Sequence, residues 1–456
     1  MNTRHRLTAA VTAILLLGFS APLTAPTPKP HSPLRKTMPL AWKARTGNAS
    51  FRTNVVLTHD RLIMGSNGTG YMDWNITDTL SGVHVIHRAT GKPLAHFAND
   101  PLGDMDVNGI LLLDGRLYFG NDNDEFLCTT PDGRTLWNIR TSGDIEHQPV
   151  TLRAGNRNLV VFATESGEVR AVEPILGKTA WSFYLDDFQG WKPGDNRTWF
   201  KVTSHFQNST SFFTKPLLAD LDLDGTQDLV YLTYDGRIVA LDGRNGRLQW
   251  TATSPDRRAH HLTPVGHGKD IAFLTFESRW NRVSEKNTQS IVRIDRQGRR
   301  KTLLQTPGKG AFGLNTLTLP SGDILLTTED RLLTFNTDTR KRRWISRSLP
   351  YTTYDSAWDK TYTYSRNSPE SLLGNRTFTF NGDSTCIAVL DQYDTRYADN
   401  GVIEIISLAK GRLLQRFALD ATSEMPPLIE DIDRDGRLDL LVNGRNGITY
   451  CYRLER

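Results

Sequence analysis

Cysteine is scarce in this chain: 456 residues hold only Cys128, Cys386 and Cys451. All three sit in apolar, strand-like stretches and read as buried small hydrophobes rather than disulfide partners; with an odd count, one is unpaired in any case. Long apolar runs are missing beyond residue 19, hydrophobic residues make up 38% of the chain and the mean hydropathy is −0.43. Those values fit neither an integral membrane protein nor a disordered tail. Gly (36) and Pro (21) are near average usage, which excludes collagen-like and linker-type chains. Charge of one sign is also lacking. The 55 Lys and Arg and the 50 Asp and Glu leave a net +5 spread along the whole length, so no nucleic-acid partner is expected. No nucleophile elbow, zinc-protease helix motif, phosphate loop or dinucleotide fingerprint occurs.

What is present begins with an export signal. Arg4 and Arg6 precede an apolar run, Leu7 to Phe19, and Gly18-Phe19-Ser20 supplies small residues for a signal peptidase. Cleavage after Ala25 would leave Pro26 at the cut. Residues 1–25 are therefore read as a signal peptide, 26–39 as a Pro-rich flexible leader and 40–456 as one domain. The run is short for a membrane helix, and no stable transmembrane span is expected after cleavage. No Cys lies nearby to accept a lipid. The expected location is secreted or periplasmic.

Strand-length apolar runs separated by turns recur every ~40–45 residues, four per copy, with no helical spacing. The clearest copies end in Gly133-Arg-Thr-Leu-Trp137, Gly177-Lys-Thr-Ala-Trp181 and Gly246-Arg-Leu-Gln-Trp250, with a weaker one at Arg340-Lys-Arg-Arg-Trp344. Eight blades of an all-β propeller are expected near 51–97, 108–139, 147–185, 215–252, 261–304, 314–347, 371–419 and 425–455. The last copy has only three strands. Leu40-Ala-Trp42-Lys-Ala-Arg45 is the expected fourth, closing the ring and removing an exposed edge.

The Gly-Lys/Arg-x-x-Trp phrases resemble the quinoprotein-like propeller repeats, the PQQ-like repeat family of BamB type. The resemblance implies a propeller that serves either an enzyme or a scaffold. Quinone-dependent dehydrogenases of that group carry adjacent cysteines against the cofactor, and BamB-like proteins are lipoproteins. This chain has neither signature, so PQQ is not expected as a cofactor.

Two loops share one form: Asp220-Leu-Asp222-Leu-Asp224-Gly225 with Asp228, and Asp431-Ile-Asp433-Arg-Asp435-Gly436 with Asp439. Carboxylates at positions 1, 3, 5 and 9 around a turn-forming Gly suit Ca²⁺, which takes six to eight oxygens. They resemble the FG-GAP loops of integrin-type propellers. Position 12 is Tyr231 or Val442 rather than the Glu of an EF-hand. The expected role of the ion is structural.

Five insertions, 67–82, 186–214, 276–290, 349–371 and 391–401, fall between second and third strands or between blades, loop classes that share one face. They hold the candidate ligand-binding residues Tyr71, Trp74, Trp191, Trp199, Arg279, Trp280, Tyr354, Trp358 and Arg396. Aromatic faces with Arg neighbours suit a glycan or protein ligand, although long loops also use aromatics to pack on themselves. His147, His260 and His261 open blades 3 and 5, where they could serve as bases or simply satisfy backbone groups. Two functions follow. One is an exported, calcium-stabilised binding or assembly module; the other is a lyase acting on a uronate-containing glycan at the same face.

Overall fold

Short runs rich in Val, Ile, Leu and aromatic residues alternate with turns in which Gly takes positive φ, and the runs form strands along the chain. The computed structural model describes residues 37–454 except 70–77, 99–104, 186–213, 234–235, 253–257, 280–287, 308–314, 328–330, 348–350, 356–359, 365–371 and 392–400. All of these residues belong to the second of two compact units, Leu34–Arg456.

The strands assemble into eight antiparallel blades, at 55–97, 110–140, 150–184, 217–252, 258–307, 316–347, 372–418 and 428–453. The domain is an eight-bladed β-propeller. Blades 1 to 6 each contain four consecutive strands in order. Blade 7 departs from the four-run pattern because its first strand is broken into Leu372–Leu373 and Phe378–Phe380, both paired with Asp383–Asp391. Blade 5 is longer at both ends than the sequence suggested. The insertion before blade 7, expected as an open loop, contains a two-stranded hairpin of Tyr351–Asp355 and Lys360–Tyr364. Its alternating Thr and Tyr residues explain that preference for extended backbone.

Blade 8 joins the two ends of the chain. Leu40–Arg45 pairs with Ile448–Arg453, with Trp42 opposite Cys451 and Arg45 opposite Ile448. Nearby, the Thr46 and Thr449 hydroxyls lie 2.7 Å apart, and Asn443 Nδ2 donates to the Gly47 carbonyl at 2.9 Å.

The buried side chains form eight clusters, one at each junction between neighbouring blades. At the junction of blades 8 and 1, Trp42, Leu441 and Cys451 pack against Leu62, Met64 and Ile86. The three cysteines are buried and free, as their apolar settings suggested.

The recurrent Gly and Trp meet across these junctions. A Cβ placed on Gly91, Gly177, Gly246 or Gly298 would lie 2.4–2.8 Å from the ring of Trp42, Trp137, Trp181 or Trp250 respectively. Each of these glycines has φ between +66° and +80°, a conformation that side chains disfavour. The tryptophan of one blade thus lies on the third turn of the next. Trp137, Trp181 and Trp250 also donate Nε1–H to the carbonyls of Pro174, Gly243 and Arg296 at 2.9–3.1 Å. Trp42 Nε1 has no such acceptor, so Trp42 contributes to the closing junction through packing. Trp42→Ala is expected to cost about 3–5 kcal/mol, and Gly91→Ala to destabilise by forcing the same ring away. Urea denaturation of both variants checks this; an unchanged midpoint in either would contradict the interlock.

Candidate functional site

In a four-stranded antiparallel blade, the first and third turns leave from one end. The second turn and the connection to the next blade leave from the other. Both Asp loops are first turns, in blades 4 and 8. They are close copies: φ is 66° at Leu223 and 65° at Arg434, and 84° at both Gly225 and Gly436. Carboxylate oxygens of Asp220, Asp222 and Asp224 lie within 4.8 Å of one another, as do those of Asp431, Asp433 and Asp435.

The fourth carboxylate of each set also braces its loop through backbone N–H groups. Asp228 accepts from Leu221 N–H at 2.8 Å and Gly243 N–H at 3.0 Å, one bond per oxygen, and so ties the first turn to the third. Asp439 Oδ2 accepts from Ile432 and Asp433 N–H at 3.0 and 3.3 Å. Its carboxyl is pushed up to about 6, first by burial and then by the negative charge of Asp433. In the blade 8 loop, Asp431 Oδ2 accepts from Gly436 N–H at 3.0 Å, while its Oδ1 is buried without a hydrogen-bond partner.

An arginine from the following blade grips each loop. Arg88 donates to the carbonyls of Ile432, Asp431 and Thr58, each at 2.6 Å. Arg296 donates to Leu221 O at 2.8 Å. Position 2 of either loop is therefore fixed to the next blade. Arg244 also pairs with Asp224 at 2.8 Å, offsetting part of the charge in the blade 4 loop.

At the opposite end, residues of the blade connections meet. Arg52 pairs with Glu146, Asn108 Nδ2 donates to Glu146 Oε2 at 2.9 Å, and Ser50 Oγ donates to Asn108 Oδ1 at 2.6 Å. Glu165, in the second turn of blade 3, is raised by burial and then by the charge of Glu146. Lys215 Nζ donates to Gln148 Oε1 at 2.9 Å, and Gln148 Nε2 to Ile110 O at 3.1 Å, linking blades 4, 3 and 2. Arg52, Asn108 and Glu165 carry no sequence signal, because single polar residues in turns look like ordinary turn chemistry.

His147 lies in the connection ahead of the first strand of blade 3, Val150–Ala154, rather than in the strand. It is 2% exposed. Its Nδ1 lies 3.1 Å from Gln148 O and must carry the proton there, leaving a buried Nε2 without a partner. Its ring is 6.1 Å from that of Tyr231. So placed, this imidazole presents no base to solution, and the lyase reading draws no support from it. His260 and His261 fall inside the strand Arg258–Val265, at a bulge between Ala259 and His261; His261 is partly exposed. Tyr71, Trp74, Trp191, Trp199, Trp280, Trp358 and Arg396 lie outside the described residues. Arg279 ends the strand Ala272–Arg279, and Tyr354 lies in the inserted hairpin.

The family described as outer membrane protein assembly factor BamB matches residues 80–346 of the chain. The chain belongs to this family. That stretch runs from blade 1 into blade 6 and contains the Gly and Trp residues of the blade interlock except Trp42. No curated protein matches significantly. Among solved structures, BamB from Moraxella catarrhalis is 15% identical, with a TM-score of 0.51 over 88% of this chain and 94% of that one. A europium-containing methanol dehydrogenase is 13% identical, with a TM-score of 0.54 over 88% of this chain and 84% of that one. Saccharomyces cerevisiae Sqt1 is 10% identical, with a TM-score of 0.53 over 92% and 97%. At such identities the likeness to these three shows the fold alone.

Burial makes the fold refuse a proton at His147, whose pKa falls to about 4 from 6.5; Arg52 and Lys215 add to the depression. His84, stacked on His96 at 4.1 Å, is likewise lowered to about 4, chiefly by burial. Above pH 6.5 both states are neutral and neither group alters stability. As pH falls from 6.5 towards 4 the unfolded chain takes up protons first, and each group removes about 1.4 kcal/mol per pH unit. His147→Gln is expected to flatten that slope by one proton's worth in denaturation curves at pH 4.5 to 7. An unaltered slope would contradict a buried neutral imidazole.

Proposed function

We propose that this protein is an exported propeller, stabilised by Ca²⁺ in its two Asp loops, that acts as a binding or assembly module. Its partner, a protein or a glycan, is held by the aromatic and Arg-bearing insertions. Membership of the assembly-factor family is the observation that carries this reading. A ring of eight tightly interlocked blades is a rigid scaffold on which long segments can present binding groups. Strand order supports a shared face, since the segments rich in Trp and Tyr are bracketed by strand ends that point the same way. The Arg4/Arg6 and Leu7–Phe19 pattern supports export through a cleaved signal, with delivery to the periplasm or outside the cell. Among the described residues no helix is long and apolar enough to cross a membrane.

Two copies of one acidic turn support the calcium assignment. Asp220, Asp222 and Asp224 would hold one ion, and Asp431, Asp433 and Asp435 the other, with backbone carbonyls and water completing each shell. Asp431 Oδ1 offers an oxygen that no N–H of the fold claims. The ion would offset the mutual repulsion of the carboxylates and stiffen a loop fixed to the neighbouring blade by Arg88 or Arg296.

Photocrosslinking in cells tests the binding face. Crosslinker placed at Trp74, Trp280 or Trp358 is expected to capture a partner that crosslinker at Leu223, in an Asp loop, does not. Capture from Leu223 alone, or from no position, would overturn the assignment. Calcium at about 100 times its Kd stabilises a singly bound site by about 2.7 kcal/mol. The melting temperature is therefore expected to rise by a few degrees over that in EGTA. Asp222→Asn with Asp433→Asn removes the rise; equal melting with and without Ca²⁺ would rule the sites out.

A further inference from the structure

The run Arg340-Lys341-Arg342-Arg343 is the weakest copy of the repeat phrase and the most heavily charged. Arg340 stands where the other blades carry Gly and keeps their left-handed turn, at φ 56°. The three following cations are exposed, and among the described residues none forms an ion pair. Adjacent like charges without counterions repel one another, and an anion bound there would relieve the repulsion.

A cleft of about 620 Å³ opens beside this turn, between blades 6 and 7. It lies on the face of the Asp loops, where the first strand of blade 7 is interrupted. Leu319 and Pro320 of blade 6 and Leu408 and Ala409 of blade 7 give it an aliphatic lining. Ser321, Thr377 and Ser384 add to it from both sides, with Lys341 and Arg343 along one side; Arg342, opposite Phe335, lies on the blade 5 side of its strand. Its single carboxylate, Asp323, already accepts a hydrogen bond from Asn336 Nδ2 at 2.6 Å. Arg343 Nη2 donates to Ala409 O at 3.0 Å, so the guanidinium bridges the two blades across the cleft.

We propose that this cleft binds a small sugar bearing an oxyanion, either a carboxylate or a phosphate. Lys341 and Arg343 take the anionic group, and Arg343 supplies the planar fork that suits it. The hydroxyl side chains pair with ring hydroxyls, and the aliphatic lining accepts the C–H face of the pyranose. The volume falls within the range of small-molecule sites.

Titration calorimetry on the purified protein at low salt tests this with glucuronate, glucose 6-phosphate, glucose and inorganic phosphate. Saturable binding of glucuronate, glucose 6-phosphate or both is expected, with glucose at least tenfold weaker; which of the two binds more tightly identifies the anion. Lys341→Ala with Arg343→Ala should weaken binding at least tenfold. Ser384→Trp, which fills the cleft from blade 7 and leaves every cation in place, should do the same. Both variants alter exposed residues, and each should melt within a few degrees of the parent. Absence of binding by both anionic sugars overturns the proposal, as does equal affinity for glucose or unchanged affinity in both variants. Inorganic phosphate binding as tightly as glucose 6-phosphate would remove the sugar from it.

Discussion

The packing of an indole on a bare glycine, repeated from blade to blade, is the contact on which this ring depends. Glycine is required twice over at each such point: the turn needs a left-handed φ, and the ring occupies the space a Cβ would fill. The tryptophan removes apolar surface from water while tying the outer strand of one blade to a turn of the next. Eight separate clusters, rather than one central core, follow from this arrangement. The chain also departs from the pattern in a matched way. Blade 5 carries Thr302 at the position where the neighbouring repeats have Trp. The following blade has Arg340 in place of Gly, so with no indole to receive, a side chain is tolerated at that turn.

Electrostatics adds a second layer at the same junctions. The Asp loops lie at the ends of blades 4 and 8, but Arg88 and Arg296 come from blades 1 and 5. Anything that changes the shape of either loop is therefore felt at a blade junction. At the other end, Arg52, Glu146 and Asn108 join the connections of three successive junctions, so polar contacts as well as apolar clusters hold neighbouring blades in register.

Blade number and the spacing of the Asp triads could be read in the sequence because each depends on residues a few positions apart, and ring closure because the last copy lacks the strand and Trp that Leu40–Arg45 supplies. The turn glycine sits four residues before the tryptophan, and the carboxylates alternate. What could not be read depends on pairing across the ring. Arg88 and Ile432 are 344 positions apart, and nothing local distinguishes Arg88 from any turn arginine. Asp228 is legible as a loop carboxylate by its position, but the two backbone N–H groups that its oxygens accept from, one of them brought in by the third turn, are not. His147 is legible at the entry to blade 3, but its burial and the approach of the Tyr231 ring from blade 4 are not. The broken first strand of blade 7 follows the Gly374-Asn375-Arg376 interruption, where Asn375 Oδ1 accepts from Ile429 N–H at 2.8 Å in the next blade.

Blade 8 draws its outermost strand from one end of the chain and the other three from the opposite end, so nearly the whole polypeptide must exist before the last sheet can form. Bringing such distant segments together carries a loop-closure cost that contacts within single blades do not, and topologies of this kind fold slowly. During synthesis Leu40–Arg45 emerges first and must wait, its backbone edge unmatched, until Ile448–Arg453 arrives. A nascent chain of this architecture therefore passes through a long open-ring stage with strand edges at both ends. Chaperones that shield strand edges would act on it at that stage rather than on the finished molecule.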